Sequence, residues 1–244
     1  MAYPNVLYGP EGEQYNLYAA QRWPYGTQMI MQDGRKYRYA LAGGTLLVIG
    51  DLLQCPATVS NDVGRTAIAA ALGSRAPTLT LGGATTANLY AEGYFVVDVD
   101  PGKGLYVIDN HLAGTTAVVF NLAAGHAIRV AALTTTSRVS LISNPYKGVI
   151  QFPITTPTNA AAGVAVSAIA ATTGSGWIQT AGTAAVLTSG TVIVGNVVIP
   201  HIAAGAIGPA AGTSTLVADA TVGIVTRVAA TTAWSTIRLT GIDA

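Results

Sequence analysis

The stretch GSGWIQTAGTAAVLTSGTVIVGNVVIP (Gly174–Pro200) decides the fold. Trp177–Thr180, Ala185–Leu187, Thr191–Val194 and Val197–Ile199 are short runs rich in β-branched residues, parted by Gly182, Ser189-Gly190 and Gly195-Asn196. That alternation spells short strands and tight turns. Val222–Val225 and Ser235–Leu239 carry the same texture to Gly241. Gly190 and Gly195 supply the positive φ that tight hairpins demand, so the spacing predicts a closed or nearly closed antiparallel β module. After Lys147 the only ionised side chains are Asp219, Arg227, Arg238 and Asp243. So few charges solvate a surface poorly, and much of this module is expected to be covered by other copies of the chain or by another protein.

Outward from that stretch, the 244 residues are enough for one large β domain or two smaller ones. Hydrophobic residues make up 50% and charged residues 9%, against about 25% charged in an ordinary soluble domain. Mean hydropathy is +0.45, yet no uninterrupted apolar run reaches the ~18 residues that would suggest a spanning helix. The strands are also shorter than the ~9–11 residues of an outer-membrane barrel strand. No membrane partner is therefore expected. Net charge is +1, which argues against a nucleic-acid groove. The single Cys55 excludes an intrachain disulfide. The first twenty residues show no secretory signal, so synthesis in the cytoplasm is expected.

Residues 1–31 differ from the rest. Tyr3, Tyr8, Tyr15, Tyr18, Trp23 and Tyr25, punctuated by Pro4, Pro10 and Pro24, predict an extended arm whose flat rings dock on a partner. Arg35, Lys36 and Arg38 form the one dense positive cluster, on a strand whose residues alternate. It fits a contact with an acidic or phosphate-bearing surface, and equally an edge strand guarded by charge. Leu46–Ile49 fits a strand or the start of a short helix. Gly93–Asp100 and Leu105–His111 flank the turn Pro101–Gly104 and predict a hairpin. Turn signals every ~8–12 residues complete an all-β reading: a short-stranded antiparallel sandwich or barrel, jelly-roll-like, with an extended N-terminal arm. The expected divisions are 1–31 arm, 32–156 β domain and 157–244 C-terminal barrel-like module.

No catalytic residue, metal site or cofactor is expected. His111, His126 and His201 lack metal-ligand spacing, and Cys55 has no partner for zinc. Asp98, Asp100 and Asp109 flank the hairpin without a calcium-loop pattern. Gly82-Gly83 and Gly102-Lys103-Gly104 lack the strand-to-helix context of a phosphate loop.

The phrase DGRKYRYALAGGTL (Asp33–Leu46), the segments Gly93–Val97 and Gly102–Ile108, and the ending Gly223–Val225 with Ile237–Leu239 resemble β-rich structural proteins of tailed bacteriophages. In particular the chain resembles the capsid decoration, or cement, proteins that sit over the major capsid protein. The resemblance implies a non-enzymatic virion protein on the capsid surface, a homo-oligomer and most simply a trimer, with the major capsid protein as partner and Tyr3 to Tyr25 as its tether. A tail-fibre or receptor-binding structural protein is the alternative. A major capsid protein would need a long amphipathic spine helix that the sequence does not show.

Overall fold

The computed structural model describes residues 6–210, 221–230 and 233–242. The all-β expectation holds: the regular structure is short strands, with two single-turn 3-10 segments. Two compact units form, Met1–Ala57 with Pro145–Ala244, and Thr58–Asn144. The breaks thus fall at 57/58 and 144/145, and not after 31 and 156. The physical reason is pairing between residues distant in sequence, which no local composition shift announces.

The first unit opens with β1 (Val6–Tyr8), β2 (Leu17–Tyr18), β3 (Gln28–Ile30), β4 (Lys36–Ala42) and β5 (Leu52–Gln54). The second unit holds β6 (Arg65–Thr66), β7 (Thr78–Thr80), β8 (Tyr94–Val99), β9 (Gly104–His111), β10 (Ala117–Leu122) and β11 (Arg138–Ile142). The chain then returns to the first unit with β12 (Lys147–Gln151), β13 (Ala161–Ala165), β14 (Ser175–Leu187), β15 (Val197–Pro200), β16 (Ile207–Pro209), β17 (Gly223–Arg227) and β18 (Trp234–Leu239). Since β5 and β12 pair directly, the second unit is an insertion between two neighbouring strands.

In the first unit β4, β12, β5, β13 and β14 pair in a ring that closes where β14 meets β4. Its interior is lined by small and medium side chains, among them Ala40, Leu53, Val149, Ala162 and Ile178, as the narrow bore of a five-stranded ring requires. Side chains alternate on β4, so Ala40 and Ala42 enter this interior while Tyr37 and Tyr39 join a separate aromatic cluster with Tyr25, Met29 and Trp177.

A second ring uses the other half of β14, followed by β18, β17, β15 and β16, and a parallel bridge between Thr188 and Ile207 returns to its start. Val186, Val198, Ile207, Val225 and Ile237 fill it. The expected closed module is present, with three corrections. Trp177–Thr180 and Ala185–Leu187 are not separate strands but parts of one 13-residue strand. Gly182, at φ +85°, marks the point where that strand exchanges β4 for β18 as its partner, and long-range pairing overrides its turn signal. Thr191–Val194 is not a strand, and the turn expected at Gly195-Asn196 falls one residue earlier, on Val194-Gly195, with the Asn196 N–H donating to Ile193 O. Leu46–Ile49 is neither strand nor helix; Leu47 makes a single bridge to Ile169.

The inserted unit is a six-stranded antiparallel sheet in the order β6-β11-β8-β9-β10-β7, with a bridge from Ala67 to Leu79 joining its two edges. The β8–β9 hairpin forms as expected, with Tyr94 opposite Val107. Tyr90, Phe95, Ile108, Phe120 and Leu141 are fully buried inside.

The N-terminal segment is extended, as expected, but it lies on the chain's own sheet. β1 runs parallel to β3, β3 pairs with β4, and β2 pairs with the start of β14. Tyr25, Met29 and Met31 bury apolar surface that a free arm would leave in water.

Candidate functional site

The six aromatic residues expected to tether the chain divide into three groups. Tyr3 lies outside the described residues. Tyr18, Trp23 and Tyr25 are committed internally: Tyr25 stacks on Tyr39 at 5.6 Å, and Trp23 meets Tyr18, Tyr39 and Trp177 at 5.2–5.3 Å between ring centres. Such contacts add about 0.5–1.5 kcal/mol per pair beyond the buried area. The Tyr18 hydroxyl donates to the Glu13 carboxylate, and burial together with that neighbour raises its pKa. Tyr8 and Tyr15 point outward, 84% and 56% exposed.

The positive cluster does not form one patch. Alternation along β4 sends Arg35 to the Tyr37 side and Lys36 and Arg38 to the other. Arg35 Nε binds Asp33 at 2.5 Å and Nη2 binds Glu11 at 2.9 Å. Burial opposes its charge, but the two carboxylates outweigh burial and hold its pKa above the usual value. Asp33 is held low by the Arg35 backbone N–H and guanidinium. Arg38 Nη1 donates to Gly26 O at 2.9 Å, and its guanidinium lies over the Tyr146 ring. Nor is β4 an edge strand, since β3 and β14 flank it.

Among the described residues no group of three His, Cys, Asp or Glu side chains is arranged to hold a metal ion. Asp98 accepts from Ser140, Asp100 pairs with Lys103 at 3.2 Å, and Asp109 accepts from Asn110. His111 is buried; its Nε2 accepts the Tyr90 N–H at 3.1 Å while Nδ1 lies 3.0 Å from Leu112 O, an arrangement that suits a neutral ring protonated on Nδ1. His126 Nδ1 accepts the Val107 N–H. Burial lowers the pKa of His201.

Cys55 lies in the first ring, where burial pushes its thiol up to about 11. At pH 8 it is therefore a protonated, shielded thiol. A chromogenic disulfide reagent is expected to leave it unmodified in the folded protein and to titrate one thiol per chain once urea is added. Rapid labelling without denaturant would contradict the burial.

What sequence reasoning missed is a trough on the first unit. Its first part, a hollow of about 610 Å³, has Tyr15, Leu17, Ile49 and Trp234 on its walls and Gln179 and Ala185 among its other lining residues. A second hollow of about 720 Å³ adjoins it, with Asp33, Arg238 and Thr240. Arg35 and Thr183 line both. These residues come from five separate stretches of chain. The one sequence signal was Trp234, a lone aromatic in a nearly uncharged strand.

Comparison of the chain with protein-family models, with curated proteins and with solved structures finds no match.

Proposed function

We propose that the protein is a non-enzymatic structural protein of a bacteriophage particle, binding the outside of the capsid as a decoration protein with the major capsid protein as partner. The observation that carries this reading is the surface of the first unit after Lys147. Ile193, Val194, Ile202 and Trp234 are 60%, 56%, 61% and 47% exposed, while Arg227 and Arg238 are the only charged side chains there among the described residues. Exposed apolar surface with so little charge is the composition of a face that works covered. Repetition of modest contacts over a lattice then clamps a shell by multivalency.

The same surface supports a closed homo-oligomer, and the resemblance to decoration proteins makes a trimer the simplest form. Light scattering on the purified chain is expected to give about three times the 24.8 kDa of one copy; a monomer at all concentrations would remove the oligomer from the reading. Deletion of the first 25 residues would damage the chain's own aromatic cluster, so the capsid test uses the outward rings. The double variant Tyr8→Ala with Tyr15→Ala is expected to weaken binding to capsids and to lower their heat resistance while leaving the free protein's melting temperature within a degree or so. Unchanged capsid binding would dismiss these rings as the tether.

A tail-fibre or receptor-binding protein is the second reading, favoured by the open trough. Negatively stained particles separate the two, since a fibre is elongated and a cement protein decorates heads.

A further inference from the structure

We infer that the trough along β14 and β18 is a binding site for a neutral oligosaccharide. The inference holds whether the protein decorates heads or forms fibres. β14 and β18 are directly paired neighbours, with Thr183 in register with Arg238 and Leu187 with Trp234. Trp234 and Arg238 lie four residues apart on one strand, about 13 Å at the rise of a β-strand. The site is therefore long, aromatic at one end and polar at the other. Its two hollows, about 610 and 720 Å³, each fall within the range of ligand sites, about 300–1,000 Å³.

A pyranose ring has an apolar face of C–H bonds and a rim of hydroxyl groups. The half-exposed rings of Trp234 and Tyr15 offer flat, electron-rich faces to the first. Thr183, Thr240, Asp33 and Arg238 offer both donors and acceptors to the second. Between them the surface is Ala181, Gly182, Thr183 and Ala185, small residues, with the Arg35 side chain lying against Gly182 where the two hollows meet. The charges balance: Asp33 and Glu11 against Arg35 and Arg238, with Arg35 already held by both carboxylates. A site without net charge favours a neutral ligand over a sialylated or uronic one. Addition of a peptide strand, the obvious rival, needs an unpaired sheet edge. Here β14 pairs with β18 and β18 with β17, so between these strands there is none.

The test is a screen of the full chain on an array of neutral and acidic oligosaccharides, followed by titration of the best neutral binder by tryptophan fluorescence. Trp177 is fully buried and Trp23 is packed in the aromatic cluster, so Trp234 is the indole open to the ligand. The expected result is a neutral binder of three or more rings that perturbs the emission. Trp234→Ala, which removes a wall, and Ala185→Trp, which fills the space between, are each expected to weaken it at least about tenfold. Leu112→Ala, on the inserted unit, is expected to leave it unchanged. Binding of no array member, binding of acidic sugars alone, or binding indifferent to both trough variants would overturn the assignment. So would loss of self-association in Trp234→Ala, which would make the trough a contact between copies.

Discussion

Trp177→Ala is expected to destabilise the first unit by about 3–5 kcal/mol, the cost of removing a large aromatic side chain from a packed core. The side chain is fully buried, and it touches Trp23 at 5.2 Å and Tyr39 at 5.3 Å. It sits on β14 opposite Tyr39 of β4, where the first ring closes and the N-terminal segment packs down. Its loss would open a cavity under Trp23 and Tyr25 and so loosen residues 6–31 first. Against a typical total stability of about 5–15 kcal/mol this is a large fraction. Its indole Nε1 is buried without a hydrogen-bond partner, which costs about 1–3 kcal/mol of desolvation. Trp177→Phe removes that orphan along with some volume, so it should lose much less than Trp177→Ala. Urea unfolding followed by Tyr and Trp fluorescence, with limited proteolysis of the N-terminal segment, measures both. A shift under about 1 kcal/mol for Trp177→Ala would mean that the N-terminal segment is anchored elsewhere.

The hairpin of β8 and β9 was legible because period-2 alternation and its turn residues are local. The same holds for β4, whose alternation marked it as a strand. Gly182 was misread for a reason that is also physical. A glycine with positive φ fits a turn and a bend inside a strand equally well, and only the switch of partner from β4 to β18 decides between them. The inserted unit left no signal, because the adjacency of β5 and β12 spans almost a hundred residues. The aromatic wealth of the N-terminal segment announced that its rings would be buried, but not that the chain itself would bury Tyr18, Trp23 and Tyr25.

The same limit governs the sites. Arg35, Lys36 and Arg38 looked like one patch because charge was counted along the chain. In space the strand splits them, and Asp33 with Glu11 neutralises the first. Asp33 was visible two residues away; Glu11 was not, since it reaches Arg35 only once β1 and β3 have paired. Trp234 apart, the trough was illegible, because Tyr15 and Arg35, just ahead of β2 and β4, meet Thr183 of β14 and Trp234 of β18 only when those strands are assembled.

In the inserted unit, Tyr90→Phe is expected to cost about 3 kcal/mol, because it strands a buried carboxylate. Asp62 is 2% exposed; its Oδ2 accepts the Tyr90 hydroxyl at 2.5 Å and its Oδ1 has no partner at all. Removing the hydroxyl therefore takes from Asp62 the one hydrogen bond described for its carboxylate. Replacing both partners by apolar groups removes the orphan with the bond. The double variant Tyr90→Phe with Asp62→Leu should accordingly recover part of the loss, giving a coupling of about 1 kcal/mol or more in a double-mutant cycle. Burial, and then the neighbouring carboxylate, raises the Tyr90 pKa. A phenol whose folded pKa is raised contributes stability that is complete below the ordinary value of about 10 and lost as pH climbs beyond it. Tyr90→Phe should thus also remove part of the alkaline destabilisation of this unit. All three tryptophans lie in the first unit, so the readout is hydrogen exchange of peptides from β9 and β10, which border Tyr90 through His111 and Phe120. Equal protection in wild type and Tyr90→Phe at neutral pH would show that Asp62 finds its hydration without Tyr90, and the bond would then count for specificity of packing and not for stability.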